Sequence, residues 1–323
     1  MDDFRAWLAC PACRGDLSAD WQCRACGARF DAPDGIPNLR LSGNSRTEAV
    51  RTFYDAAPFP GYPARDSLAT FQARAGRSRF AQLLDRAIPG DAHIAEVGCG
   101  TGQMSLYLAR ADRVVVAADL SRPSLLLGEA AARRYGITGV HFVETDLHRS
   151  ALRPGAFDVV YSSGVLHHTP DPRAAFAEVA RLARRGGIVI VGVYNAVARL
   201  PLRLRRLVAR AAGFRVVPFD PVWRERRGDP ARREAWLRDQ YRHPEEHTHT
   251  VAEVRQWFAD NDVDVLRSFP STVLDDESPA LFEPAEDDWR IERWIAQTEW
   301  MWTLGGEGGL FFTIGRLRRP RAG

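Results

Sequence analysis

The chain has 323 residues, 45% of them hydrophobic and 26% charged, which allows one large α/β domain with smaller additions. A formal net charge of only +3 does not require a nucleic acid or an anionic membrane as partner. All 44 basic residues are Arg, which excludes a lysine Schiff base and a Lys-containing phosphate loop. The first eight residues lack the basic start of a signal peptide, and no apolar run approaches about 18 residues, so a cytoplasmic protein with no membrane partner is expected.

The chain opens with a cysteine-rich segment. Cys10 and Cys13 are followed by nine residues and then by Cys23 and Cys26. Each Cys-x-x-Cys pair presents two thiolates to one point, and two pairs supply the four sulfurs of a closed tetrahedral zinc site. Gly15 and Gly27 follow the pairs closely, where the chain must fold back. The segment is too short to hold itself together by apolar burial, so a metal would supply its folding energy. A four-thiolate site has no open position, which makes the zinc structural. The alternatives are iron on the same sulfurs or two redox pairs.

A polar joint at Ser42–Ser45 leads to a predicted helix over Thr47–Asp55 and then to an aromatic, proline-rich stretch that includes Phe53, Tyr54, Phe59 and Tyr62. An amphipathic helix is predicted over Ser78–Ala87, before the stop signal Pro89-Gly90. From His93 onward, apolar runs at His93–Val97, Arg113–Ala118, Val140–Glu144, Phe157–Ser162 and Gly187–Val193 alternate with helical patterns at Gln103–Ala111, Ser121–Tyr135 and Pro172–Arg184. This alternation predicts a parallel sheet with helices on both faces. Two late runs, Val263–Phe269 and Leu310–Ile314, are expected to close the sheet as a final strand pair.

Two insertions, 196–250 and 270–307, separate these late strands. Residues 196–242 hold 13 Arg against 5 acids, and residues 243–299 hold 15 acids against 4 Arg. Solvated helix faces attracting one another account for this charge split, and a nucleic-acid face on the basic half is the alternative. His247 and His249 precede Thr250-Val251-Ala252-Glu253, a capping box for a helix over Val251–Ala259. Trp289, Trp294, Trp300 and Trp302 fall on one predicted helical stretch, where Trp289 and Trp300 are expected to share a buried face. An aromatic ligand pocket is the other reading.

The central motif is Glu96-Val97-Gly98-Cys99-Gly100-Thr101-Gly102-Gln103, which follows an apolar run and opens a helix. Glycines at such a turn permit positive φ and close approach of backbone to a ligand. The dinucleotide pattern G-x-G-x-x-G needs a glycine where Gln103 stands, so a cofactor without phosphates fits better. The motif resembles the first motif of class I S-adenosylmethionine-dependent methyltransferases, E/D-x-G-x-G-x-G. The resemblance continues in order through Asp119, Asp146, the stretch Phe157 to His168, which is similar to the type 11 and type 12 branches, and the turn Arg184-Arg185-Gly186-Gly187.

The resemblance covers about residues 78–195 and implies a Rossmann-like seven-stranded sheet that binds S-adenosylmethionine. It assigns the ribose hydroxyls to Asp119 and the adenine amino group to Asp146, with Leu120, Ser121 and Leu147 flanking the adenosine and Ser163 nearby. Glu96 would face the cationic sulfonium. Gln103 either touches the ligand or caps the helix, and Cys99 reads as a small loop filler. Asp34-Gly35-Ile36-Pro37-Asn38-Leu39 resembles the end of Trm112-like zinc ribbons, which partner methyltransferases, and also the ribbon fused to certain ribosomal RNA guanine methyltransferases. The expected divisions are a zinc ribbon (1–43), a cofactor-lid segment (44–77), the cofactor-binding core (78–195), and substrate-lid insertions with the final strand pair (196–323).

In-line displacement at an activated methyl group depends chiefly on positioning. His167 is the candidate general base, and His168 is read as structural; the resemblance to family members in which this histidine pairs with an N-terminal tyrosine implies Tyr54 or Tyr62 as its partner. A small-molecule acceptor is the first reading. An RNA base methyltransferase whose ribbon grips RNA is the second, and a non-catalytic cofactor-binding scaffold that docks a protein through the ribbon is the third.

Overall fold

The computed structural model describes residues 4–41, 48, 51–52, 54–55, 58, 61–211, 246–273, 276, 278–285, 289–304 and 308–319. Seven strands form one sheet in the order β3-β2-β1-β4-β5-β7-β6. They are β1 (His93–Val97), β2 (Val114–Asp119), β3 (Val140–Glu144), β4 (Phe157–Ser163), β5 (Ala183–Tyr194), β6 (Val263–Phe269) and β7 (Leu310–Leu317). The first five run parallel, and β7 is antiparallel to both β5 and β6. This is the Rossmann-like seven-stranded arrangement expected from the sequence, with the late pair closing one end.

Five of the eight helices described start where a short polar side chain caps them. The eight are α1 (Leu68–Ala75), α2 (Arg79–Ala87), α3 (Gln103–Leu108), α4 (Arg122–Tyr135), α5 (Pro172–Ala180), α6 (Leu200–Ala211), α7 (Val251–Asp260) and α8 (Arg290–Thr303). Ser67, Ser78, Ser121, Asp171 and Thr250 each accept a hydrogen bond from a first-turn amide of α1, α2, α4, α5 and α7. The last confirms Thr250 as a cap, although the Glu253 carboxylate turns to His249 Nδ1 at 2.8 Å instead of closing the box.

Apolar clusters lie on both sides of the sheet. One joins Val97, Val116, Val143, Phe176, Phe258 and Trp300, and the other joins Phe71, Phe80, Leu84, Ile94, Ile190 and Phe312. The cysteine-rich segment belongs to the first cluster through Leu8, Leu17 and Leu39. It docks beside β3: Leu39 N donates to Glu144 O at 2.8 Å, and Glu144 N donates to Pro37 O at 2.9 Å. Ala9 N to Ala151 O (2.7 Å) and Arg153 N to Trp7 O (2.8 Å) extend the seam.

Two expectations need correction. The strand expected from Gly187 begins at Ala183, and the register slips between Phe157 and Val159 of β4, so the Arg184–Gly187 turn is a bulge within β5, with Gly186 at φ 79°. The shared buried face of Trp289 and Trp300 does not form. Trp300 is 3% exposed, but Trp289, Trp294 and Trp302 face outward. Trp289 occupies the N-cap with extended backbone (φ −72°, ψ 152°), so helical periodicity does not yet apply to it. The predicted helix over Thr47–Asp55 lies partly outside the described residues, and the basic stretch 212–242 lies wholly outside them.

Candidate active site and metal centre

The glycine loop joins β1 to α3 at the carboxyl edge of the sheet. Gly98, Gly100 and Gly102 all take positive φ, at 75°, 54° and 75°. A Cβ on Gly98 would lie 2.2 Å from Val165, and one on Gly102 would lie 2.7 Å from Phe142, so conformation and space both demand glycine at these two positions. The amides of Gly98 and Cys99 donate to Ala118 O at 2.8 and 3.1 Å, drawing the loop over the end of β2.

Asp119 ends β2. One carboxylate oxygen accepts from Gly100 N at 2.7 Å, and the other accepts from Ser121 N at 2.8 Å. Each oxygen keeps a second lone pair for a ligand. Burial raises its pKa, and the backbone amides pull against that rise. Asp146, just beyond β3, accepts from His148 N at 2.9 Å and is half-buried, as are Leu120, Leu147 and Ser163. Ser121 is buried and caps α4. Cys99 is also buried, which pushes its thiol pKa up, so it is not a poised thiolate.

Glu96 is 6% exposed, and Ser105 Oγ on α3 hydrogen-bonds its Oε2. Desolvation pushes its pKa up to about 8, so a neutral carboxyl prevails at pH 7 without a ligand. The segment ahead of the core rests on the loop: Tyr62 Oη donates to Thr101 O at 2.8 Å, and Gln103 Nε2 donates to Gly61 O at 3.3 Å. Gln103 therefore neither caps α3, whose N-cap is Gly102, nor points freely outward. Burial raises the Tyr62 pKa strongly, so its hydroxyl stays protonated on Thr101. Tyr54 is half-buried in a short helical stretch.

His167 lies beyond β4, two residues from the Val165 that fills the space beside Gly98. It is fully buried, with its ring 3.9 Å from that of Tyr194 and 4.2 Å from that of His168. Its carbonyl accepts from His247 N at 2.8 Å. The candidate base is thus roofed by the segment 246–249, whose His249 forms a single bridge with Asn195. His247 and His249 border a cleft of about 300 Å³ with Asp171, Arg173, Glu253 and Trp257. Behind His167, Arg199 stacks on Tyr194 at 3.7 Å and bonds Glu246 at 2.9 Å; Arg206 holds the same carboxylate at 2.6 Å.

At the other end of the molecule, ligand atoms of Cys10, Cys13, Cys23 and Cys26 all lie within 4.8 Å of one another. The Cys10–Cys26 and Cys13–Cys23 sulfurs are 3.8 and 3.4 Å apart. Four sulfurs about 2.3 Å from one centre lie about 3.8 Å apart, so the residues fit a tetrahedral metal. Among the described residues, no other His, Cys, Asp or Glu group could hold a metal in this way.

Sequence reasoning missed a buried ionic cluster between the two sites. Glu144, 3% exposed, receives Arg40 Nη1 and Arg122 Nη1, each at 3.0 Å. Arg122 also reaches Asp34 at 3.2 Å. The available signal was an acid closing an apolar run two residues before Asp146.

Residues 95–191 match the family model described as a methyltransferase domain. Over those residues the chain carries a methyltransferase domain. It is 29% identical over 241 residues to an uncharacterized protein of a Synechococcus strain, covering 66% of this chain and 58% of that protein. It is 35% identical over 100 residues to the ubiquinone biosynthesis O-methyltransferase of Methylococcus capsulatus, covering 31% of this chain and 42% of that enzyme. The chain thus spans about half the length of the curated relatives it matches. Among solved structures, magnesium protoporphyrin IX methyltransferase from Synechocystis PCC 6803 with bound SAH gives a TM-score of 0.50 at 16% identity, covering 85% of this chain and all of that one, a likeness of fold. No helix among the described residues is long and apolar enough to cross a membrane.

Proposed function

We propose that the protein transfers a methyl group from S-adenosylmethionine to a small-molecule acceptor by in-line displacement. The observation that carries this reading is the three-glycine loop closed onto the Asp119 carboxylate, with Asp146 at the adjoining strand end. Bound S-adenosylmethionine supplies a methyl group already activated on a sulfonium. The glycine loop lets backbone approach the cofactor. Asp119 offers its spare lone pairs to the ribose hydroxyls, and Asp146 accepts from the adenine amino group between Leu120 and Leu147. Ser163 closes the methionine side, and Glu96 ionises to face the positive charge. Residues 44–77 act as the cofactor lid through Tyr62 and Gln103, and residues beyond 195 cover the acceptor.

His167 is our candidate for removing the acceptor's proton, where the acceptor has one to lose. Its support is its place beyond β4 beside the glycine loop, and the role requires the acceptor to reach beneath the 246–249 roof. Tyr54 is the candidate partner that remains, since the proton of Tyr62 is engaged by Thr101. The four cysteines hold a structural zinc ion. Small-molecule chemistry is favoured over RNA because two cations of the ribbon are engaged within the protein: Arg14 donates to Ser150 O, and Arg40 pairs with Glu48 and Glu144. The relative named for ubiquinone biosynthesis supports the same choice.

Calorimetry with S-adenosylhomocysteine tests the site. Asp119→Ala removes two charge-assisted acceptors and should weaken affinity about a hundredfold. Unchanged affinity would sink the assignment.

A further inference from the structure

Large apolar side chains at the surface are concentrated in two helices. Of the eleven exposed ones among the described residues, four lie on α6 and five on α8 or its N-cap. On α6, Leu200, Leu204, Leu207 and Val208 are 46%, 65%, 65% and 51% exposed. Their spacing of i, i+4, i+7 and i+8 draws one stripe along the helix. Leu202 and Ala209 form a second stripe on the opposite side, and these are buried in the protein. The helix is therefore apolar on two faces, and among the described residues only one is buried. In α8 the pattern repeats: Ala296, Gln297 and Trp300 face inward, while Ile291, Trp294 and Trp302 face outward, Trp302 at 83% exposure.

Both helices hang from the same place. Asn195, just past β5, donates to Gln297 of α8 at 3.0 Å. Arg199, just ahead of α6, bonds the carbonyl of Gly308 beyond α8. Tyr194 and Leu310 are register partners, so α6 and α8 share the carboxyl edge of the sheet on which the glycine loop opens.

We infer that α6 and α8 form a docking surface for an anionic lipid bilayer, with α6 lying in the plane of the headgroups. Charge selects this occupant. Helix α6 carries Arg203, Arg205, Arg206 and Arg210 and no acid. Arg206 is held by Glu246 and Arg203 donates to Thr248; Arg203 and Arg210 border the apolar stripe on one side and Arg205 on the other. An apolar stripe edged by Arg, with outward Trp rings on the helix that shares its anchorage, matches the headgroup boundary, where guanidinium meets phosphate and indole sits between water and acyl chains. A second copy of this chain would set the same Arg rows against themselves.

Co-sedimentation of the full chain with vesicles tests the inference, using phosphatidylcholine alone and phosphatidylcholine with phosphatidylglycerol as about a third of the lipid. Binding should favour the anionic vesicles by at least about tenfold and weaken steeply with salt, since each surface Arg contributes about fivefold. Leu204→Glu with Leu207→Glu should lower the bound fraction at least about tenfold while S-adenosylhomocysteine affinity is retained, which shows the variant folded. Trp302→Ala should weaken binding severalfold as a second, milder probe. Absence of vesicle binding by the unmodified protein overturns the inference, as does equal binding by the double variant. A dimer in light scattering that the double variant splits also overturns it, because a second copy then covers the face. Methyl transfer is tested separately by cofactor affinity, so either reading can fail alone.

Discussion

The ribbon at the β3 side and the helices beyond β5 are both additions to the same α/β unit, and they are built in opposite ways. The ribbon hides its apolar side chains: Leu8 and Leu39 are fully buried, and Ile36 is 2% exposed. Backbone pairing to Glu144 and the two-arginine grip on its carboxylate tie it down. Helices α6 and α8 bury one stripe each and leave the other outward. A short cysteine segment has no core of its own, so it becomes stable by merging with the neighbouring one. A helix with two apolar stripes is stable with one of them covered and keeps the other for a partner.

The strongest way to break this contrast is to remove the metal proposed for the four cysteines. Chelation, or Cys10→Ser with Cys26→Ser, should release the ribbon and expose the Leu8 and Leu39 contacts. A loss of about 4 kcal/mol, or about 8 °C in Tm, is expected by calorimetry. Affinity for S-adenosylhomocysteine should fall with it, because Asp146 lies two residues beyond the Glu144 that Pro37 and Leu39 hold. Full affinity after metal loss would make the ribbon an appendage. Next in size is Arg40→Ala, which leaves Glu144 buried with Arg122 as its remaining strong cation; about 2 kcal/mol of stability should go. Glu144→Gln in the same background should recover part of it by removing the uncompensated charge, and a denaturant titration of the three variants measures the coupling.

These additions are also where sequence and structure part. The parallel strands were legible within a few residues because a buried strand writes its own apolar run, and the glycine loop was legible because backbone conformation there admits little else. The ribbon's attachment to Glu144 was not legible, since it joins residues about a hundred positions apart through backbone amides that any side chain carries. The same holds for the burial of His167, which depends on His247 arriving from beyond the first insertion. Periodicity placed Trp289 and Trp300 on one face and failed because the first belongs to the cap. The Arg-rich character of 196–242 was read as solvated surface, whereas placing α6 in the fold reveals the apolar stripe between those arginines.

Between the two regions lies Glu96, and the smallest predicted effect concerns it. Its folded pKa of about 8 stands above its ordinary value of 4.5, chiefly through burial. The folded state therefore holds a proton that the unfolded state releases. The resulting stability is complete below pH 4.5 and is lost as pH rises toward and through 8. Between pH 6 and 7 the slope should be about 1 kcal/mol per pH unit from this group, and Glu96→Gln should flatten it in a series of thermal melts. A cationic cofactor favours the ionised carboxylate, so S-adenosylmethionine binding at pH 7 should release a fraction of a proton. Binding heats measured in buffers of different ionisation enthalpy read that proton directly. A release that survives in Glu96→Gln would assign the proton to another group, and a release that chelation of the ribbon alters would tie the two ends of the cofactor site together.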